Sequence, residues 1–189
     1  MATVAGVPHF AVSCIGSDRP GIVAAVTGAL VEHGCNLEDT SMSILRGHFA
    51  MMLVVAGGEG LTAATLESAL GEPARRLDLV VTVRAIPGSM DSSGVPASPE
   101  GDAWTISVYG SDRPGIVHRV TALLAEAGVN VVDLSTRVIG QADRSVYAMV
   151  LEVTLPPGLG GDELSARLSA LAAELGVEAS LHPSEADIL

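Results

Sequence analysis

The octapeptide Gly-Ser-Asp-Arg-Pro-Gly-Ile-Val stands at residues 16–23 and returns unchanged at residues 110–117. The shift of 110 − 16 = 94 positions also holds beyond the octapeptide, at the pairs Val26/Val120, Leu30/Leu124, Gly34/Gly128, Asn36/Asn130 and Asp39/Asp133. Solenoid units repeat every 20 to 50 residues or so, which is much shorter than this shift. The chain is therefore a duplication of a whole domain.

Each copy shows the same order of hydrophobic patterns. Strict alternation predicts strands, and apolar residues at helical spacing predict helices. In the first copy the predicted elements are a strand at 9–15, a helix after the octapeptide, a hairpin of strands 36–45 and 48–55, a helix at 61–76 and a strand at 79–86. The second copy repeats this order and ends with a helix from Asp162 and a strand at 177–182. The order strand, helix, strand, strand, helix, strand predicts an α+β fold of two ferredoxin-like βαββαβ domains, each an antiparallel sheet with helices on one face.

A segment rich in Pro, Gly and Ser at residues 87–101 separates the copies and predicts a flexible linker. The predicted domains are residues 1–86 and 102–183, followed by a polar tail at 184–189. The Ala-Met pair of the third strand is shifted by 148 − 50 = 98 positions, so the second hairpin has gained 98 − 94 = 4 residues around 140–143.

Residues at the ends of the predicted helices suggest how each helix starts and stops. Ser17 or Asp18 is expected to cap the first helix, Pro20 to occupy its first turn, and Gly34 or Gly128 to end it in the left-handed conformation. In the later helix Thr62 is a predicted cap, and Pro73 predicts a kink or an early stop.

Cys14 and the methionines Met42, Met51 and Met52 are interpreted as core residues. One sheet face is left uncovered, which favours association of sheets or sheet edges. It carries Ala11, Ser13, Ile15, Thr105, Ser107 and Tyr109.

Composition excludes several classes of protein. The net charge is −12 and the chain contains no Lys, which argues against direct nucleic-acid binding. There is no basic segment followed by an apolar core at the N-terminus and no apolar run of the ~18 residues that a membrane span requires, so we expect a cytoplasmic protein that does not enter a membrane. Two cysteines without a Cys-x-x-Cys motif predict neither a disulfide framework nor a metal cluster.

The repeated turn has the chemistry of an anion site. A strand that turns into a helix directs free backbone N–H groups and the positive helix end to one place. Gly21 and Gly115 allow a ligand to approach the backbone, and the carboxylates of Asp18 and Asp112 could hold an ammonium group. These two poles match an α-amino acid. The alternative is that Asp caps the helix, Pro and Gly shape the turn, and nothing binds.

Other chemistry finds little support in the sequence. A Walker loop requires a lysine, and the glycine spacing of the turn does not fit a dinucleotide fingerprint. Neither Ser17 nor Ser111 has a base beside it, and no pair of carboxylates or metal-binding set repeats in both copies. We therefore predict no catalytic residue, no enzymatic activity, no metal and no cofactor. Asn36 and Asn130 either make a local turn bond or offer an amide to a ligand, and His118 and Arg119 either reach a ligand or face water.

The run Asp-Arg-Pro-Gly-Ile-Val, a helix, Gly-x-Asn and then Glu-Asp-Thr-Ser-Met at 38–42 resembles the ACT domain. The tandem layout, together with Phe-Ala-Met at 49–51, is similar to the glycine cleavage system transcriptional repressor family. The resemblance implies a regulatory module that binds an amino acid at an interface between paired domains. The residues it implies for ligand binding are Ser17, Asp18, Gly21, Ile22, Cys35 and Asn36 in the first copy and Ser111, Asp112, Gly115, Ile116, Val129 and Asn130 in the second.

Three functions remain open at this point. The first is a ligand-responsive regulator of amino-acid metabolism or transcription that acts through a protein partner and forms a homo-oligomer, most simply a dimer. The second is a detached regulatory subunit of an amino-acid biosynthetic enzyme. The third is an oligomerisation module that has lost its ligand.

Overall fold

A computed structural model describes residues 7–87, 101–140 and 146–184. The chain divides into two compact units, Met1–Pro96 and Ala97–Leu189. Residues 88–100 of the predicted linker, residues 141–143 of the predicted loop insertion and residues 185–189 of the predicted tail lie outside the described residues. The domain boundaries taken from the sequence therefore stay predictions.

Both units have the predicted order of elements and the same sheet topology. The first unit contains β1 (His9–Ser17), α1 (Ile22–Glu32), β2 (Asn36–Leu45), β3 (His48–Ala56), α2 (Ala63–Leu77) and β4 (Leu79–Ile86). The second contains β5 (Asp102–Gly110), α3 (Ile116–Glu126), β6 (Asn130–Ile139), β7 (Val146–Leu155), α4 (Gly161–Leu175) and β8 (Val177–Pro183). The strand orders are β2-β3-β1-β4 and β6-β7-β5-β8, with antiparallel pairing throughout. The predicted α+β, ferredoxin-like fold is confirmed.

Each unit has its own apolar core between the sheet and its two helices. In the first, the side chains of Phe10, Val12 and Cys14 alternate into the core as the sequence predicts, and they meet Ile22 of α1 and Leu66 of α2. Burial raises the pKa of the Cys14 thiol to about 11, so the thiol remains protonated at neutral pH. Cys14 is thus a core residue, as predicted.

Strand β2 lies at the sheet edge, and every one of its residues is exposed. The interpretation of the methionines as core residues is correct for Met51, which is 3% exposed, and wrong for two others. Met42 is 48% exposed because it lies on this edge strand, and Met52 is 56% exposed because it points to the sheet face opposite the core. A period-2 pattern identifies the two faces of a strand, but which strands are covered depends on where the helices pack.

The glycines after α1 and α3 behave as predicted. Gly34 and Gly128 have φ values of 68° and 70°. The following residue donates its N–H to a carbonyl one turn back, from Cys35 to Leu30 at 3.0 Å and from Val129 to Leu124 at 2.9 Å. This is the Schellman arrangement, which satisfies the last carbonyls of a helix.

Helix α2 begins as predicted but does not end as predicted. The Thr62 side chain accepts a hydrogen bond from the N–H of Thr65 at 3.2 Å, which confirms it as the cap. The early stop at Pro73 is wrong, because the helix continues to Leu77 with the Pro73 ring buried. Proline removes one hydrogen bond from a helix, and burial of its apolar ring against the core offsets part of that loss.

The sheet faces opposite the helices carry exposed apolar side chains. Ile15, Met52 and Val80 are exposed on the first sheet, and Tyr109 and Val150 on the second. The association of sheets that this composition favours stays a prediction.

None of the helices in the described ranges combines the length and the apolar character that a membrane crossing requires.

Candidate functional site

The repeated turn has the same backbone in both units. Gly21 and Gly115 are the N-caps of α1 and α3, with left-handed φ values of 94° and 93°. The first helical hydrogen bonds run from Ala25 to the Gly21 carbonyl at 3.0 Å and from Arg119 to the Gly115 carbonyl at 2.9 Å. An L side chain is strained at such angles, which explains why glycine occupies both positions.

The predicted capping by Ser17 or Asp18 is wrong, since neither helix has a side-chain cap. The reason is geometric. The left-handed glycine itself is the N-cap, three residues beyond Asp18, so the Asp18 side chain does not occupy the capping position. Pro20 likewise lies before the helix and not in its first turn. The aspartates are therefore not explained by capping.

The turn leaves polar groups at the surface. The N–H groups of Ile22, Val23 and Ala24 precede the first helical bond of α1, where the helix carries its positive end. Asp18 is exposed, and its backbone N–H donates to the Gly47 carbonyl at 2.9 Å, which ties the turn to the β2–β3 hairpin. The turn therefore combines helix-start N–H groups, of which those of Val23 and Ala24 belong to exposed residues, with the exposed carboxylate of Asp18.

The first glycine of the octapeptide has a different role. A Cβ on Gly16 would lie 2.6 Å from Cδ2 of Leu79 and 2.7 Å from the Asp78 carbonyl oxygen. A Cβ on Gly110 would lie 2.7 Å from Cγ1 of Val177. Gly16 and Gly110 allow the end of the central strand to pack against its neighbour, and they are structural residues.

A single domain does not bring its own turn and its own Gly-x-Asn corner together. The turn precedes α1 and the corner at Cys35 and Asn36 follows it, so the 11 residues of α1 separate them by about 16 Å. The sheet gives the same result, because Asn36 pairs with Ala56 beside His9, at the opposite end of β1 from Ser17. Ser17, Asp18, Gly21 and Ile22 form one group, and Cys35 and Asn36 form another.

The second unit repeats this separation with small differences. Ser111, Asp112, Gly115 and Ile116 form its turn, and Val129 and Asn130 form its corner. Ile22 and Ile116 are buried beneath their turns, whereas both aspartates and both asparagines are exposed. Cys35 is half-buried and Val129 is buried, and burial raises the pKa of the Cys35 thiol.

Two arginines, one in the second turn and one just after it, have partners within the same domain. Arg113 donates from Nη1 to the Leu175 carbonyl at the end of α4, at 3.3 Å. Arg119 forms an ion pair with Glu174, at 2.6 Å between Nη2 and Oε2. His118 is exposed. The sequence left open whether His118 and Arg119 reach a ligand or face water, and Arg119 has a partner in α4.

Tyr147 is a residue that the sequence reasoning missed. It pairs with Gly110 in the sheet, at the place where Phe49 pairs with Gly16 in the first unit. Its side chain is 7% exposed, and within the described ranges its hydroxyl has no hydrogen-bond partner. Burial, and then the charge of Asp112, raises the pKa of Tyr147. The shift of 98 positions that aligns the third strands also aligns Phe49 with Tyr147, so the signal was present in the sequence.

Clefts differ between the two units. A cleft of about 490 Å³ lies beside the second turn, and it is lined by Tyr109, Gly110, Ser111, Val146, Gly176, Val177 and Glu178. In the first unit a cleft of about 280 Å³ lies on the open sheet face and contains none of the predicted ligand residues. Within the part of the chain that the structure describes, no three His, Cys, Asp or Glu side chains are grouped to hold a metal ion.

Comparison with known proteins gives matches to both units. Family models described as the ACT domain match residues 9–84 and residues 104–160. The glycine cleavage system transcriptional repressor of Escherichia coli (strain K12) is 25% identical over 183 residues, which cover 95% of this chain and 92% of that protein. The crystal structure of an unknown protein from Galdieria sulphuraria has a TM-score of 0.79 and 30% identity, with 95% of this chain and 99% of that chain covered. A crystal structure of a putative glycine cleavage system transcriptional repressor has a TM-score of 0.63 and 20% identity, with 94% and 98% covered.

Proposed function

This chain belongs to the ACT-domain family, and from its two repeated turns we propose that it is a non-catalytic regulatory protein that binds an α-amino acid. The ligand carboxylate would accept hydrogen bonds from the N–H groups at the start of α1 or α3. The ligand ammonium would be held by the carboxylate of Asp18 or Asp112. We propose that no cofactor or metal takes part.

The observation that carries this proposal is the uncapped helix start in both copies. The sequence left open whether Asp18 and Asp112 were only caps, and neither helix uses them in this way. An exposed carboxylate beside free N–H groups at a positive helix end is complementary to both charged groups of an amino acid. The same arrangement in both units favours two ligand sites.

Each turn is only part of the proposed site. Since the corner of the same domain is about 16 Å away along the helix, we propose that the corner of another ACT domain completes the site. Cys35 and Asn36, or Val129 and Asn130, would then contact the ligand from the other side. Such a site couples ligand binding to association of domains, because each domain contributes residues that the other lacks.

We propose a protein partner, and not nucleic acid, as the target of this regulation. The net charge of −12 opposes contact with phosphate backbones. The similarity to glycine cleavage system transcriptional repressors favours a regulator of amino-acid metabolism or transcription. We propose that it acts in the cytoplasm and does not bind DNA directly. The exposed apolar sheet faces favour a homo-oligomer, most simply a dimer.

Two alternatives remain as proposals. A detached regulatory subunit of an amino-acid biosynthetic enzyme would use the same site, and it would co-purify with that enzyme. An oligomerisation module without a ligand would keep the fold and associate, but it would bind no amino acid. The uncapped aspartates favour the ligand-binding proposals over this last one.

The corner asparagines provide a test of the site. We expect Asn36→Ala and Asn130→Ala each to weaken amino-acid binding by roughly 2- to 12-fold, the effect of losing one hydrogen bond worth about 0.5–1.5 kcal/mol. Binding would be measured by isothermal titration calorimetry with the common amino acids. Ser43→Ala and Ser135→Ala, at exposed positions of the same strands, are the matched controls. Wild-type affinity in both asparagine variants would remove the corners from the site.

A further inference from the structure

We propose that Tyr147 is a positioning residue that makes the second turn a stronger ammonium-binding site than the first, by donating a hydrogen bond to the Asp112 carboxylate when an amino acid is bound. This inference rests on the proposed function, and it adds a specific difference between the two copies. The copies share the octapeptide, so the proposed difference in ammonium binding comes from a side chain of the neighbouring third strand.

The first step is the position of the side chain. Tyr147 pairs with Gly110, the residue that begins the second octapeptide, two positions before Asp112. In the first unit Phe49 pairs with the equivalent glycine, Gly16, and is also buried, with 1% of its surface exposed against 7% for Tyr147. At this position of the third strand the two copies differ by one hydroxyl group.

The second step is the state of that hydroxyl. Its oxygen is buried, and it has no hydrogen-bond partner among residues 7–87, 101–140 and 146–184. A buried hydroxyl without a partner destabilises the fold, and the phenylalanine of the first copy shows that the ring alone fills this place. The second copy thus retains a polar group that packing does not require.

The third step is the choice of acceptor. Asp112 lies two positions after Gly110, the sheet partner of Tyr147. Burial, and then the Asp112 charge, raises the pKa of Tyr147, so the phenol stays protonated and is a hydrogen-bond donor at neutral pH. Asp112 is exposed and can change its side-chain rotamer. A ligand ammonium that draws the Asp112 carboxylate over the turn would bring it within reach of the hydroxyl. One carboxylate would then bind both the ammonium and the phenol.

The experiment measures ligand binding at one repeated turn at a time. Asp18→Ala leaves only the second turn complete, and Asp112→Ala leaves only the first. In the first background we expect Tyr147→Phe to weaken binding of the common amino acids by roughly fivefold to tenfold, the size of one lost hydrogen bond, in calorimetric titrations. In the second background we expect Phe49→Tyr to strengthen binding. Tyr147→Phe in the Asp112→Ala background, where the second turn has no carboxylate for the phenol to contact, is the matched control and should leave the remaining binding unchanged.

Stability separates this role from a purely structural one. Tyr147→Phe removes a hydroxyl that has no partner, so the free protein should be as stable as the wild type or more stable, while its affinity falls. A variant that lost both stability and affinity would indicate only damage to the core, and the inference would be overturned.

A titration without ligand gives an independent test. The chain has two tyrosines, so in a Tyr109→Phe variant the ultraviolet absorbance of tyrosinate reports Tyr147 alone. Removing the Asp112 charge makes the phenolate easier to form, and we expect Asp112→Asn to lower the pKa of Tyr147. An unchanged pKa would mean that the Asp112 charge does not act on the Tyr147 phenol, and it would contradict the inference.

If both copies bind amino acids but Tyr147→Phe has no effect, only this inference fails. If no amino acid binds to the wild type, the proposed function fails with it.

Discussion

Replacing Leu66 with alanine is expected to destabilise the first domain by about 2–5 kcal/mol, and replacing Leu164 should have the same effect on the second. Both side chains are completely buried, at equivalent positions of α2 and α4 between the helix and the sheet. Each substitution removes apolar atoms from the core and leaves a cavity that the surrounding residues fill only in part. Urea denaturation, followed by far-ultraviolet circular dichroism, measures the change in the free energy of unfolding.

The control for these variants is an exposed apolar residue. Leu45→Ala removes the same atoms from a side chain that is 68% exposed on the edge strand β2, and its effect should remain within about 0.5 kcal/mol. Equal losses in Leu45→Ala and Leu66→Ala would mean that the helices do not cover the sheet as described. This comparison therefore tests the placement of α2 directly.

Removing both turn carboxylates is expected to have the largest effect on ligand binding. In the double variant Asp18→Ala with Asp112→Ala we expect amino-acid affinity to fall by about 10- to 100-fold, since a hydrogen bond to a charged group contributes about 1.5–3 kcal/mol. Each single variant should weaken one of the two sites and leave the other. Calorimetric titration gives both the affinity and the number of ligands bound.

The same variants test the capping alternative through stability. Loss of an N-cap side chain costs about 1 kcal/mol, whereas neither aspartate caps a helix here. We therefore expect Asp18→Ala and Asp112→Ala to unfold at the same urea concentration as the wild type. Asp102→Ala, which removes an exposed carboxylate from the start of β5, controls for the change in net charge. Lower stability with unchanged affinity would favour caps over ligand-binding groups.

Most of the fold could be predicted because local patterns were strong and occurred twice. Phe10, Val12 and Cys14 alternate as the core face of β1, and Gly34 ends α1 in the left-handed conformation that its position suggested. The errors concern features that depend on the rest of the molecule. The exposure of Met42 depends on which strands the helices cover, and the fate of Pro73 depends on whether its ring is buried.

The sequence indicated candidate residues for the site but not their geometry. The repeated turn indicated Asp18 and Asp112 as candidate ligand residues. Neither aspartate caps a helix, because Gly21 and Gly115 adopt a positive φ and are themselves the N-caps, which the composition of the turn does not predict. The length of α1 explains why the corner asparagine of one domain cannot serve the turn of the same domain. The offset of 98 positions aligns Tyr147 with Phe49, but the burial of its hydroxyl without a partner among the described residues depends on the packing of the second unit.

A thermal-shift screen of the wild-type protein against the common amino acids tests the central claim most directly. A ligand that binds only the folded state adds about 2.7 kcal/mol of stability at 100 times its dissociation constant. We expect at least one amino acid to raise the melting temperature, and the Asp18→Ala, Asp112→Ala double variant to show a much smaller increase at the same ligand concentration. A wild-type melting temperature that no amino acid raises would contradict the claim that the repeated turns are amino-acid sites.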